Sequence, residues 1–364
     1  MNVVIFTPAL LEGDGVGNDV LGMARALRAA GHAVSFSTRW ESALPVVPLN
    51  RVPDLLRHPD DVFLLHHSIG CEEAVRLFEA LPCRKIVKYH NVTPPHFFAD
   101  INEVVVKGCV AGLKQVARLL RPGVRVWVDS PFNGRDLERV CPGHPFEVLP
   151  PFNQVDDLLE AETDRTSVGL YDDWLTNILV VGRLVPNKNV TRALEAFAIY
   201  LDRHDPQARL FLVGDLAQNA YCETVLDCIR DLGLADRVFI TGKVSLEQLK
   251  AFYLSAQILL TTSCHEGFCL PLVEAMGLRV PIVALRNTAI PDTGGDVAVY
   301  PADDPAAIAA ALAAVRAEPT TLEDRLDRGW QRYRDHFDNR AITARFHKLF
   351  ASATAAGKIA ALAR

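Results

Sequence analysis

The residues richest in potential chemistry lie between Ser263 and Met276, in the run S-C-H-E-G-F-C-L-P-L-V-E-A-M. The apolar stretch Gln257 to Thr262 before it reads as a buried strand, and Pro271 sits where a helix accepts proline at its first turn. This spacing predicts Pro271 at N1 and Glu274 at N4. The backbone N–H groups of Gly267, Phe268, Cys269 and Leu270 then point at an anion, aided by the positive end of the helix dipole. Glu266 in the loop and Glu274 in the helix flank that site. Carboxylates are poor partners for phosphate and good acceptors for paired hydroxyls. Two of them around an anion pocket suit a diphosphate with a sugar at each end, which is a nucleotide sugar.

A second constellation is Val180-Val-Gly-Arg-Leu-Val-Pro-Asn-Lys-Asn189. A strand ending in Gly182-Arg183, with Lys188 before the next helix, places two cations where they can neutralise a departing diphosphate. The segments Phe211 to Asp215 and Ile240 to Val244, the latter with Gly242, end two further strands. Near the N-terminus, Leu11 to Asp19 offers Gly13, Gly15 and Gly17. A dinucleotide fingerprint fails here, because its third glycine is Asn18 and the second strand ends in Ser37-Thr-Arg-Trp40 without the acid that holds a ribose. His66-His67 and His90 stand at the ends of two strands. Neither is followed by a His-x-Glu arrangement, which argues against zinc.

The E-x7-E spacing of Glu266 and Glu274, filled by G-F-x-L-P, resembles the element found in retaining GT-B glycosyltransferases of family 4. The G-R-x4-K spacing of Gly182, Arg183 and Lys188 resembles that family's phosphate clamp. The resemblance implies that Glu266 touches the donor sugar, Glu274 the ribose and His90 the transferred sugar. It further implies that Gly15 and Gly17 face the donor phosphates and acceptor, and that Gly242 lies near the base. A retaining transfer of mannose or a related hexose to a hydroxyl of a glycan or lipid-linked acceptor follows, with the leaving diphosphate helping to deprotonate that hydroxyl. The motifs H-H-S-I-G and H-N-x-T-P point towards enzymes of surface polysaccharide and lipopolysaccharide assembly. An epimerase on the same architecture and a sugar-binding subunit without turnover remain alternatives. No Asp-x-Asp pair occurs, so neither a metal nor another cofactor is expected; Arg183, Lys188 and the helix N-terminus supply the positive charge.

These residues need strands to carry them. Candidates in the first half are Val3 to Thr7, Ala33 to Ser37, Val62 to His66, Lys85 to His90, Val124 to Asp129 and Phe146 to Leu149, alternating with helical stretches near 17–30, 71–80, 101–121 and 133–140. In the second half they are Asn177 to Val181, Ala208 to Val213, Arg237 to Thr241, Gln257 to Thr262, Pro281 to Leu285 and Val297 to Tyr300. Such alternation predicts parallel sheets covered on both faces. The expected class is α/β of GT-B type, two doubly wound Rossmann-like domains facing a central cleft. Residues 1–155 form the acceptor-side domain and 156–344 the nucleotide-sugar domain, with an irregular acidic connection running to Asp173. A terminal helix at about 345–364 packs back on the first domain, as the resemblance implies.

The bulk properties agree with two ordinary domains: 364 residues, 49% hydrophobic and 23% charged. Residues 1–150 are charge-balanced, so the rest carries the whole net charge of −6, the reverse of what a nucleic-acid binder shows. The eight cysteines contain no C-x-x-C pair and read as reduced core residues of a cytoplasmic protein. Neither a signal peptide nor a membrane span is evident. Lys107, Lys114, Arg118 and Arg121 fall on one helical face, a basic stripe able to meet an anionic membrane.

Overall fold

The computed structural model describes residues 1–11, 13–40, 42, 44–164, 166, 169, 171, 173–215 and 220–355. The chain divides into two compact units. Unit 1 holds residues 1–96, 104–154 and 339–364, and unit 2 holds 97–103 and 155–338.

Unit 1 is built on six strands: β1 Asn2–Thr7, β2 Ala33–Thr38, β3 Val62–His67, β4 Arg84–Tyr89, β5 Arg125–Val128 and β6 Glu147–Val148. They pair in parallel in the order β2-β1-β3-β4-β5-β6. Strand β3 is buried along its whole length, as expected of a strand covered on both faces. Gly15–Ala29 forms the first helix, and Gly22 lets it close on Phe152, because a Cβ there falls 2.3 Å from that ring. The helix Asn339–Thr354 returns to this core. Its Phe346 meets Trp127 edge-on at 5.7 Å and Phe152 at 5.9 Å. Residues 356–364, the far end of the expected terminal helix, lie outside the described residues.

Unit 2 has β7 Asn177–Val181, β8 Arg209–Val213, β9 Val238–Gly242, β10 Ile258–Thr261 and β11 Ile282–Ala284, all parallel, in the order β11-β10-β7-β8-β9. The two-residue period of a strand divides its apolar side chains between two cores. Ile178, Leu210, Leu212, Ile258 and Leu260 face one side, and Leu179, Phe211, Val213 and Leu259 the other.

Two expectations are corrected. Val297 to Tyr300 is no strand; Val299 makes a single bridge to Val283, and Pro301, which lacks a donor, follows at once. The acidic connection is less irregular than its sequence, since Val155–Glu160 forms a short helix that buries Val155 and Leu158. Asp173 binds Arg209 at 2.6 Å, while Asp172 is outside the described residues.

Candidate active site

In unit 2 the strand order reverses at β7, which has β8 on one side and β10 on the other. Loops leaving such a pair diverge and open a crevice at the carboxyl ends. A hollow of about 370 Å3 lies there, lined by Gly182, Arg183, Lys188, Thr262, Ser263, Glu266 and Cys269 among others. Its polar centre is Lys188, whose Nζ lies 2.6 Å from Glu266 Oε1. Burial pulls the ammonium down, and the Glu266 carboxylate outweighs it and holds Lys188 above its usual range. Lys188 comes from the turn Pro186–Lys188, and Arg183 is exposed at the rim. Gly182 has φ +139°, and a Cβ on Gly214 falls 2.1 Å from the Gly182 carbonyl oxygen. Glycine lets these two strand-end loops touch backbone to backbone.

The loop before the next helix is fixed from several directions. Glu266 N–H donates to Thr288 Oγ1 at 2.8 Å, Asn187 Nδ2 donates to the His265 carbonyl at 3.0 Å, and the Thr293 hydroxyl donates to the Phe268 carbonyl at 2.5 Å. The helix runs Leu270–Gly277 with Cys269 as N-cap, so Pro271 is N2 and Glu274 N5, one place later than expected. The helix therefore begins one residue earlier than expected, with Cys269, at φ +77°, as the break before it. An L-residue held there stores roughly 1–2 kcal/mol. Burial pushes its thiol up. Gly242, at φ +70°, ends β9 and accepts from Gly214 N–H at 3.1 Å. Gly267 and Phe268 lie in the loop between Glu266 and this N-cap, and Phe268 is buried.

Glu274 does not wait for a ligand alone. Tyr253 OH donates to its Oε2 at 2.6 Å. Burial raises the Glu274 carboxyl, and the Tyr253 bond and Lys188 partly restore it. Tyr253 carries no local signal in sequence, since it comes from the helix Leu246–Ser255, 21 residues upstream.

The remaining expected residues, His90, Gly15 and Gly17, belong to unit 1. Gly15 begins the first helix, and Gly17 is needed for packing, because a Cβ there falls 2.2 Å from the Leu11 carbonyl oxygen. His67 Nε2 bonds the Gly112 carbonyl at 3.0 Å, and burial lowers its pKa to about 4, so it is a neutral core residue. His90 has both ring nitrogens engaged, Nδ1 with Asp129 Oδ2 and Nε2 with His66 Nδ1, each at 2.8 Å. Lys88 Nζ lies 2.5 Å from Asp129 Oδ1 and also donates to the Leu149 carbonyl. Asp19 completes the cluster, its carboxyl raised to about 6 by burial against the pull of Lys88 and His90. Burial also carries His66 well below its usual value. Sequence reasoning missed Asp19, Lys88 and Asp129. Lys88 inside the apolar run of β4 was the available sign. Local spacing around the histidines gives no sign of Asp19, which the fold brings to both from a separate helix.

Part of the basic stripe is paired within unit 1. Arg118 pairs with Glu72 and Glu79 at 2.8 Å each, and Arg121 pairs with Glu79. Two of its four cations are therefore turned to the helix Glu72–Ala80. Among the described residues, no helix is long and apolar enough to cross a membrane.

The hollow, its lysine–glutamate pair and the glycine loops all fall within one matched segment. Residues 165–331 match the family Glycosyl transferases group 1. An MMP alpha-(1->4)-mannosyltransferase of Mycolicibacterium hassiacum is 37% identical over 118 residues, which is 32% of this chain and 28% of that relative. Sucrose-phosphate synthase from Thermosynechococcus elongatus superposes with a TM-score of 0.75 at 18% identity, over 98% of this chain and 100% of that one. A protein of Anabaena solved with UDP-glucose gives 0.70 at 15% identity, over 97% and 100%. The fold is GT-B.

Proposed function

We propose that this chain is a retaining glycosyltransferase that moves a hexose, mannose or a close relative, from a nucleoside-diphosphate sugar to a hydroxyl of a glycan or lipid-linked acceptor in surface polysaccharide synthesis. The observation that carries the reading is the Lys188–Glu266 pair at 2.6 Å inside the switch-point hollow, beside Gly182 and the N-cap of the helix Leu270–Gly277. With donor bound, Lys188 and Arg183 meet the charge that grows on the departing diphosphate, aided by the positive end of that helix. Glu266 is then placed to accept sugar hydroxyls and Glu274 ribose hydroxyls, through the oxygen that Tyr253 leaves open. The charge a divalent ion supplies at the phosphates in other transferases is provided by these groups. The sugar-nucleotide complex of the Anabaena fold relative and the mannosyl relative support the choice of donor class.

The test is calorimetric titration with GDP-mannose, UDP-glucose and the free diphosphates, followed by transfer assays with NMR assignment of the anomeric product. Lys188→Ala should cost about 2–4 kcal/mol of transition-state stabilisation, the range for losing one preorganised donor. Normal turnover of that variant at saturating donor, or an inverted product, overturns the reading.

A further inference from the structure

The polar cluster of unit 1 includes His90, which the resemblance places on the transferred sugar, and has its own chemistry. Asp19 lies in the helix Gly15–Ala29, His66 near the end of β3 and His90 just beyond β4, with side chains 0%, 0% and 5% exposed. Their atoms converge. His66 Nδ1 and His90 Nε2 are 2.8 Å apart, and Asp19 Oδ2 lies 3.8 Å from the first and 3.7 Å from the second.

Each group is aimed from behind. Asp129 accepts from His90 Nδ1–H, which leaves a lone pair on Nε2 facing the cluster, the arrangement usual for a metal-bound imidazole. Asp19 Oδ1 accepts the Phe152 N–H at 2.9 Å. Asp19 Oδ2 is buried and has no hydrogen-bond partner among the described residues. A buried carboxylate oxygen left in that state is costly. A proton shared by the two imidazoles satisfies their nitrogens and does nothing for Oδ2, which is beyond hydrogen-bond reach of both. Lys88 is no substitute, being 3.9 Å from Oδ2 and committed to Asp129 and the Leu149 carbonyl. Lys88 and Asp129 are committed to each other, so Asp19 Oδ2 is left with Lys88 only at long range.

We propose that Asp19, His66 and His90 hold one divalent transition-metal ion of the zinc class. A point about 2 Å from all three atoms exists within their triangle, which matches zinc–nitrogen and zinc–oxygen bond lengths. Two imidazoles and one carboxylate are a three-ligand set for such an ion and leave a fourth position for water. The ion replaces the proton between the imidazoles and gives Asp19 Oδ2 its partner. It thereby ties the start of the first helix to the carboxyl ends of β3 and β4. The site lies wholly in unit 1 and does not depend on the transfer reading.

The experiment uses the full chain without a histidine tag. The protein is equilibrated with zinc chloride, passed through gel filtration and analysed for metal by mass spectrometry, with melting temperature and cobalt absorption measured in parallel. The expected result is about one ion retained per chain, a raised melting temperature, and a visible cobalt spectrum of nitrogen and oxygen ligation. Asp19→Asn, of equal size and still able to accept from Phe152, and His66→Gln should each lower retention at least about tenfold, the effect of disturbing a ligand set. Folding of both variants is checked by circular dichroism. If neither folds, the cobalt spectrum of the unaltered chain decides. A thiolate charge-transfer band, no retained ion, or equal retention in folded variants overturns the proposal.

Discussion

At the level of single residues, the two acids at the switch-point hollow have different surroundings, and that difference is testable. Glu266 meets an ammonium, whereas Glu274 meets a phenol and has its carboxyl raised by burial. A carboxyl raised in the folded state binds its proton more tightly there. Its favourable contribution to stability is therefore complete below the ordinary carboxyl value of 4.5 and is lost as pH rises through the folded value. Ribose binding needs the ionised form, so nucleotide affinity should fall as pH drops through that same folded value. Tyr253→Phe removes the hydrogen bond that favours ionisation. It should weaken nucleoside diphosphate binding by about 1.5–3 kcal/mol, the worth of a bond to a charged group, and move the acid-side loss of affinity to higher pH. Calorimetry across pH 4 to 8 checks both effects. An unchanged profile removes Tyr253 from the site. Glu266, Glu274, Arg183 and Lys188 were legible because they sit in short motifs beside glycines. Tyr253 and Thr288 were not, because only the fold brings them to those motifs.

At the level of elements, most strands and helices were legible from apolar alternation and from glycine and proline boundaries. What sequence could not show is which charged faces pair. Lys107, Lys114, Arg118 and Arg121 look equivalent on a helical wheel, yet Arg118 bridges Glu72 and Glu79 from the helix Glu103–Leu119. The Arg118 bond, followed by that of Arg76, holds Glu72 down at about 2. A depressed acid stabilises the fold above 4.5 and loses that contribution as pH falls towards 2. Arg118 and Glu72 keep 35% and 44% of their side chains open to solvent, so Arg118→Gln should cost less than about 1 kcal/mol. It should also return the Glu72 carboxyl towards 4.5 in a carbon-detected NMR titration. A depressed Glu72 persisting in the variant shows that another group sets it. A test of membrane contact then belongs to Lys114, because reversing Arg118 breaks a helix pairing as well as the stripe.

At the level of the whole chain, the donor hollow belongs to unit 2, while unit 1 is completed by the last helix in the sequence. Only the resemblance suggested where the terminal helix would pack, because an amphipathic face does not name its partner. Ile342, Phe346 and Phe350 of Asn339–Thr354 are buried in the core that contains Val3, Met23 and Trp127. Phe346 is fully buried between Trp127 and Phe152. Removing a ring of that kind leaves a cavity as well as lost apolar burial, so Phe346→Ala should destabilise unit 1 by about 3–5 kcal/mol in urea unfolding followed by fluorescence. Apart from Gly15 and Gly17, which the resemblance turns towards the donor phosphates, the groups assigned to the nucleotide come from residues 182–274 and rest on the separate cores of unit 2. Nucleoside diphosphate affinity of the folded variant should therefore match that of the unaltered chain. Affinity falling in step with stability means that nucleotide binding draws on unit 1 as well, and the assignment of the diphosphate to the β7–β10 hollow alone fails.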